Sequence, residues 1–301
     1  MRASSRLKYK PSLEEADRLL LFCRRARPNP LCEPAVIYPD FLREPLYTDW
    51  GESQVKTEAS TKPPFFVDQS LLCSGRNCDI MNSAQEYCED KEMIERALAY
   101  VKDKFENEYS GHDYFHTLRV YRMATHIAQR EGADVKAVQL AAILHDVDDR
   151  KLSPDTYDDL TNARAFLRAN GEDAATVERI CQMIREVSFG ANDAPPTTLE
   201  GKCVQDADRL DAIGAVGIGR AFAYGGHHQR LMYHPDVKPN LHMTKQEYQN
   251  SQSTTINHFY EKLFKLTALM NTPTAVEIAQ QREAFMREFV AEFLDEWDGI
   301  R

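Results

Sequence analysis

The string Leu144-His145-Asp146 sets an imidazole beside a carboxylate at the end of an almost wholly apolar run, Val138, Leu140, Ala141, Ala142, Ile143 and Leu144. A carboxylate withdrawn from water without a partner is heavily penalised, so a group in this setting needs a positive neighbour. A divalent cation satisfies carboxylate and imidazole together. A His-Asp pair also arises by accident, and a helix C-terminus favours a histidine through its dipole, so the neighbouring segments decide. Upstream, Gly111-His-Asp-Tyr-Phe-His-Thr-Leu-Arg-Val120 puts His116 and Arg119 one turn apart on one helix face. Downstream, Val204-Gln-Asp-Ala-Asp-Arg-Leu-Asp-Ala-Ile-Gly214 embeds Asp208 in an otherwise apolar-periodic segment. Asp148, Asp149, Arg150 and Lys151 follow the dyad.

These residues need helices to position them, and helical signals dominate from about Glu92 onward. Ile94, Leu98, Val101 and Phe105 form one apolar face over 93–109. A second helix is expected over 112–131, stopped by Gly132, and a third over 135–145, capped by Asp134. Further helices fit 156–170, 174–187 and 199–222, the last opened by a Thr197-x-x-Glu200 capping box. Gly214, Gly217 and Gly219 argue for close packing or a break within it. After a polar stretch, 224–255, two helices close the chain, 256–270 and 273–297, the latter with Thr272 as N-cap and Pro273 in its first turn. Alternating strand patterns are almost absent, so the expected class is all-α.

Residues 1–88 read differently. Eight of the 14 prolines lie there, and only 12–25 has a helical pattern, so this stretch is expected to be a largely irregular extension before a domain at 89–301. Five of the seven cysteines also fall there. Cys73 and Cys78 lack a second Cys/His pair to complete a metal knuckle, and Cys181 and Cys203 read as buried free thiols. With 37 Lys+Arg against 47 Asp+Glu, the net charge of −10 argues against a binder of nucleic-acid polymers or anionic membranes. No run approaches the roughly 18 apolar residues of a membrane span, and the N-terminus has no apolar signal-peptide core, so the chain is expected in the cytoplasm.

The order His116, His145-Asp146, Asp208, with the last in an Ala-Asp-Arg-Leu context, resembles the HD superfamily of metal-dependent phosphohydrolases. The resemblance covers about residues 93–298. EVSFG (186–190), VQDADRLDAIGAVGIGRAFAYGG (204–226), STTINHFYEKL (253–263) and the closing FMREFVAEFLDEWDG are similar to single-domain bacterial HD hydrolases of the YedJ/YpgQ type. It implies an HD-domain helical bundle in which His116, His145, Asp146 and Asp208 hold a divalent metal. Two imidazoles and two carboxylates suit Mn²⁺, Mg²⁺, Co²⁺ or Fe²⁺. Two-metal members add histidines before the final aspartate, and none stands between His145 and His227, so one metal is expected. In the family an acidic residue shortly after the dyad assists the attacking water, which by spacing selects Asp149 as catalytic beside Asp146.

The implied reaction is hydrolysis of a nucleotide-like phosphate, a nucleoside triphosphate going to monophosphate and pyrophosphate. The alternatives are a phosphomonoesterase of nucleotidase type and a catalytically silent module that binds a nucleotide as regulator. An HD-type oxygenase would need the missing histidines. The expected partner is a small phosphorylated molecule, with Arg119 and Lys151 contacting its phosphate. His112 and His126 read as surface or capping residues, and the polar run from Gly225 to Lys245 as a lid. Phe285, Phe289, Phe293 and Trp297 recur every fourth residue, which suits core packing, with a homodimer face as the alternative.

Overall fold

The computed structural model describes residues 75–106, 113–150, 152–187, 195–242 and 253–301. The chain divides into two units, Met1–Glu89 and Asp90–Arg301, and the site lies in the second. The elements are α1 (Gly75–Lys104), α2 (Tyr114–Glu131), α3 (Val135–Leu144), α4 (Thr161–Ala169), α5 (Ala174–Val187), α6 (Leu199–Asp211), α7 (Gly214–His227), α8 (Thr255–Glu261) and α9 (Pro273–Trp297), with two short 3₁₀ turns between α8 and α9. Among the described residues there is no strand, and no helix is long and apolar enough to cross a membrane.

The all-α expectation holds, and helix α3 is the reason the bundle has a centre. Val138, Leu140, Ala141, Ala142, Ile143 and Leu144 are all fully buried, as an all-round apolar helix must be. Burying each Val, Leu or Ile contributes about 1.5–3 kcal/mol. Around it pack α2, α5 and α6, and α6 also meets α7 and α9. Helix α2 presents Val120, Ala124, Ile127 and Ala128 inward along one face. It ends at Gly132, whose left-handed backbone (φ 74°) suits a residue without Cβ, and Asp134 caps α3 through the Ala137 amide.

Several boundaries depart from the sequence pattern. Helix α1 starts at Gly75, so the irregular extension expected through residue 88 is helical over its last part, while residues 1–74, with Cys73 and the expected helix 12–25, lie outside the described residues. The expected helix 199–222 is two: Ala212 and Ile213 break it, and Gly214 at φ 77° turns the chain under the Arg282 side chain, where a Cβ would sit 2.9 Å from Arg282 Cγ. Its cap is Thr198, which accepts from the Gly201 amide, because the Thr197 hydroxyl is drawn to Glu186. Residues 152–160 form turns, and α4 starts only at Thr161. The helix expected over 256–270 is α8 followed by the 3₁₀ turns.

The aromatic stripe of α9 divides in two. Phe289 and Phe293 pack on Phe222, and Phe293 stacks on Trp297, whereas Phe285 is half exposed. Cys181 and Cys203 are buried free thiols as expected, and burial pushes the Cys203 thiol up to about 12.

Candidate metal centre

Three helices deliver the four residues. Asp113 caps α2 by accepting from the His116 amide at 2.6 Å, which fixes His116 in the first turn facing the core. His145 and Asp146 follow directly on α3, where the helix runs out at the centre of the bundle. Asp208 comes from α6, the helix that packs on both.

Each imidazole is oriented by its Nδ1. His145 Nδ1 donates to the Ala142 carbonyl at 2.8 Å, and His116 Nδ1 donates to Asp211 Oδ2 at 2.7 Å. The Arg220 guanidinium lies 3.1 Å from the same Nδ1 but can only donate, so the ring proton goes to Asp211. Both Nε2 lone pairs therefore turn toward carboxylates. His116 Nε2 is 3.4 Å from Asp146 Oδ2 and 3.4 Å from Asp208 Oδ1, and His145 Nε2 is 3.1 Å from Asp146 Oδ2. One ligand atom from each of His116, His145 and Asp146 can be chosen so that all lie within 4.8 Å of one another.

Acceptors facing acceptors repel unless a positive charge stands between them. His145 Nε2 is buried and makes no hydrogen bond of good geometry. Burial pulls the His116 imidazole down, but Asp146, Asp208 and Asp211 together hold it well above its ordinary range. His145 is likewise raised, with burial opposed mainly by Asp146, and Asp208 is held low by His116 against its own burial. The cluster thus attracts a cation, and its donor set of nitrogen and carboxylate oxygen fits a divalent metal. Its exposure is uneven: the His116 side chain is 1% exposed and that of Asp208 27%, so solvent reaches the cluster from the Asp208 side.

The structure adds a carboxylate that the sequence reading passed over. Asp211, one turn after Asp208 on α6, is buried and accepts from His116, from Arg119 Nε at 2.6 Å and Nη2 at 3.0 Å, and from Arg220. Burial alone would raise its pKa, but these donors hold it well below the usual carboxylate range. The bidentate grip of Arg119 therefore closes on a protein carboxylate. Only Nη1 of Arg119 stays without a partner among the described residues.

The two aspartates after the dyad separate. Asp148 is buried and accepts from the amides of Asn162 and Ala163 at 3.1 and 2.9 Å, capping α4. Asp149 is half-buried, and its amide donates to the Asp146 carbonyl at 3.0 Å. Lys151 and His112 lie outside the described residues, as does part of the expected lid, while His126 is exposed on α2.

The family model described as "HD domain" matches residues 113–213, which contain all four residues of the cluster. An uncharacterized protein YpgQ of Bacillus subtilis is 36% identical over 219 residues, 69% of this chain and 95% of that protein. A crystal structure described as an HD-superfamily hydrolase from Bacillus thuringiensis shares 37% identity at a TM-score of 0.58, covering 69% of this chain and 98% of the other. The crystal structure of B. subtilis YpgQ in complex with ADP aligns at 33% identity and a TM-score of 0.54 over 69% of this chain and 96% of that one.

Proposed function

The chain belongs to the HD domain family, and on that basis we propose that it is a metal-dependent phosphohydrolase that converts a nucleoside triphosphate to the monophosphate and pyrophosphate. The observation that carries this reading is the convergence of His116, His145 and Asp146 around one point, with Asp208 3.4 Å from His116. The ADP held by a YpgQ relative supports a nucleotide as the phosphate donor.

His116, His145, Asp146 and Asp208 would hold one divalent ion, which supplies Lewis acidity for a phosphoryl oxygen and lowers the pKa of water. Asp211 keeps His116 in the tautomer that offers Nε2, and Arg119 and Arg220 keep Asp211 ionised and in place. Asp149 orients the attacking water or accepts its proton, and the bond from its amide to the Asp146 carbonyl ties its backbone to that of the ligand. The phosphate approaches from the Asp208 side, where the cluster is least covered. Lys151 serves as a point charge on it. Arg119 acts mainly through Asp211, with Nη1 left for the phosphate.

A panel of nucleoside tri-, di- and monophosphates assayed with Mn²⁺, Mg²⁺ and Co²⁺ tests the reading. Pyrophosphate released from a triphosphate is the expected result. Inorganic phosphate released from a monophosphate would favour the nucleotidase, and nucleotide binding without metal-dependent turnover would mark a silent regulatory module. Within an active enzyme, Asp149→Asn should keep the metal and lower kcat by about 10²-fold or more, a usual general-base contribution. Unchanged kcat would remove Asp149 from the chemistry.

A further inference from the structure

Beside Asp211, residues of α2, α6, α7 and α9 line a half-open cleft of about 240 Å³. Arg119, Arg122 and His126 of α2 line it, with Asp211 of α6, Val216 of α7 and Arg282 of α9. Three arginines and a histidine thus border one cleft, together with the apolar Met123, Ala207 and Val216, in a chain whose net charge is −10. Along α2 the two arginines are three residues apart, a separation at which like charges on a helix repel, with His126 four residues further on. Nothing in the helix needs them there: the apolar face that packs the core is the other one, Val120, Ala124 and Ile127.

The carboxylate in the wall does not balance them. Asp211 is already shared among His116, Arg119 and Arg220. Arg122 makes no hydrogen bond or ion pair with any described residue. Arg282 is half-buried, with its stem over Gly214 and one Nη on the Leu210 carbonyl, and no described carboxylate bonds to it. Burial holds its pKa below the ordinary arginine value, which marks a charge removed from water without full compensation.

We infer that this cleft is a second anion site, separate from the metal centre, that takes a compact free oxyanion of the phosphate or pyrophosphate type. Guanidinium forks match tetrahedral oxyanions through paired hydrogen bonds, and Arg122 of α2 and Arg282 of α9 supply them from two helices. The volume is below the roughly 300–1,000 Å³ of pockets that enclose drug-sized ligands, and it suits a phosphate group. The inference does not depend on the reaction proposed above.

The test uses the full chain stripped of metal, titrated calorimetrically with inorganic phosphate, pyrophosphate and adenosine monophosphate. Saturable binding of phosphate or pyrophosphate at one site is expected. Arg122→Gln, a change at an exposed helix position, should weaken it about tenfold or more, as the loss of a charge-assisted bond implies. Arg282→Lys, which keeps the charge and loses the fork, should weaken it as well. His145→Ala, which removes a residue of the metal cluster, should bind phosphate as the parent does. No saturable binding would overturn the site, as would equal affinity in Arg122→Gln. Loss of binding in His145→Ala would place the anion at the metal centre, and binding of the monophosphate alone would rule out a site for a free oxyanion.

Discussion

His116 has both ring nitrogens committed, Nε2 to the cluster and Nδ1 to Asp211, and this makes Asp211 as important to the site as the residues that would face a metal. Asp211→Asn should lower divalent-metal affinity by about 10- to 100-fold while leaving the helical far-UV signal intact, because the group lost orients a ligand and is not one. A competition titration with a chromophoric chelator reads this directly, and unchanged affinity would show that His116 holds its orientation without Asp211. His116, His145 and Asp146, which the structure brings together, and Asp208, 3.4 Å from His116, could be named from the sequence because their order and the strings around them carry a family pattern. Asp211 was present in the same string but had no visible partner: Arg119, which it binds, is 92 positions away, and only the fold brings α2 and α6 together. The signal that could have found it is its spacing, one turn after Asp208 on the same helix face, opposite an arginine one turn after His116.

At the level of elements, the caps decided which boundaries could be read. Gly132, Asp134 and Thr272-Pro273 act within a few residues, and the helices they bound stand where the sequence put them. Helix α4 was mis-placed because its cap is Asp148, 14 positions upstream of Asn162. The break between α6 and α7 depends on Arg282 packing over Gly214, a tertiary contact. The junction of α6 with α9 is held by Asp206, which is buried and accepts from Asn271 and from both the amide and the hydroxyl of Thr272, itself the N-cap of α9. Asp206→Ala would leave those donors buried and unmet at about 1–3 kcal/mol, lowering Tm by several degrees in a calorimetric scan. The other side of the same helix start is held by Glu131, whose carboxylate accepts from the Thr274 hydroxyl and amide and is drawn below its ordinary range by those bonds. A depressed carboxylate stabilises the fold above its unfolded pKa, near 4.3, and the contribution is lost as pH falls through the lower folded value. The Tm difference between the parent and Glu131→Gln should therefore shrink on acidification below about pH 4, and a difference constant with pH would refute the assignment.

At the scale of the molecule, among the residues of α1 whose side chains are described the buried apolar ones begin at Met93, and His116, His145, Asp146 and Asp208 all lie after it. A chain beginning at Met81 should accordingly be soluble, bind metal and melt within a few degrees of the full chain. Aggregation, or a loss beyond about 2 kcal/mol, would show that the preceding residues belong to the fold. Helix α3 has a different bearing on the molecule. Amide hydrogens in core helices exchange with solvent mainly through large-scale opening, whereas exposed helix ends exchange through local fraying, and α3 is thoroughly buried. His145 and Asp146 are attached to that segment, so hydrogen exchange should find the amides of α3 among the most protected in the domain and these two residues held through local fraying of the surface.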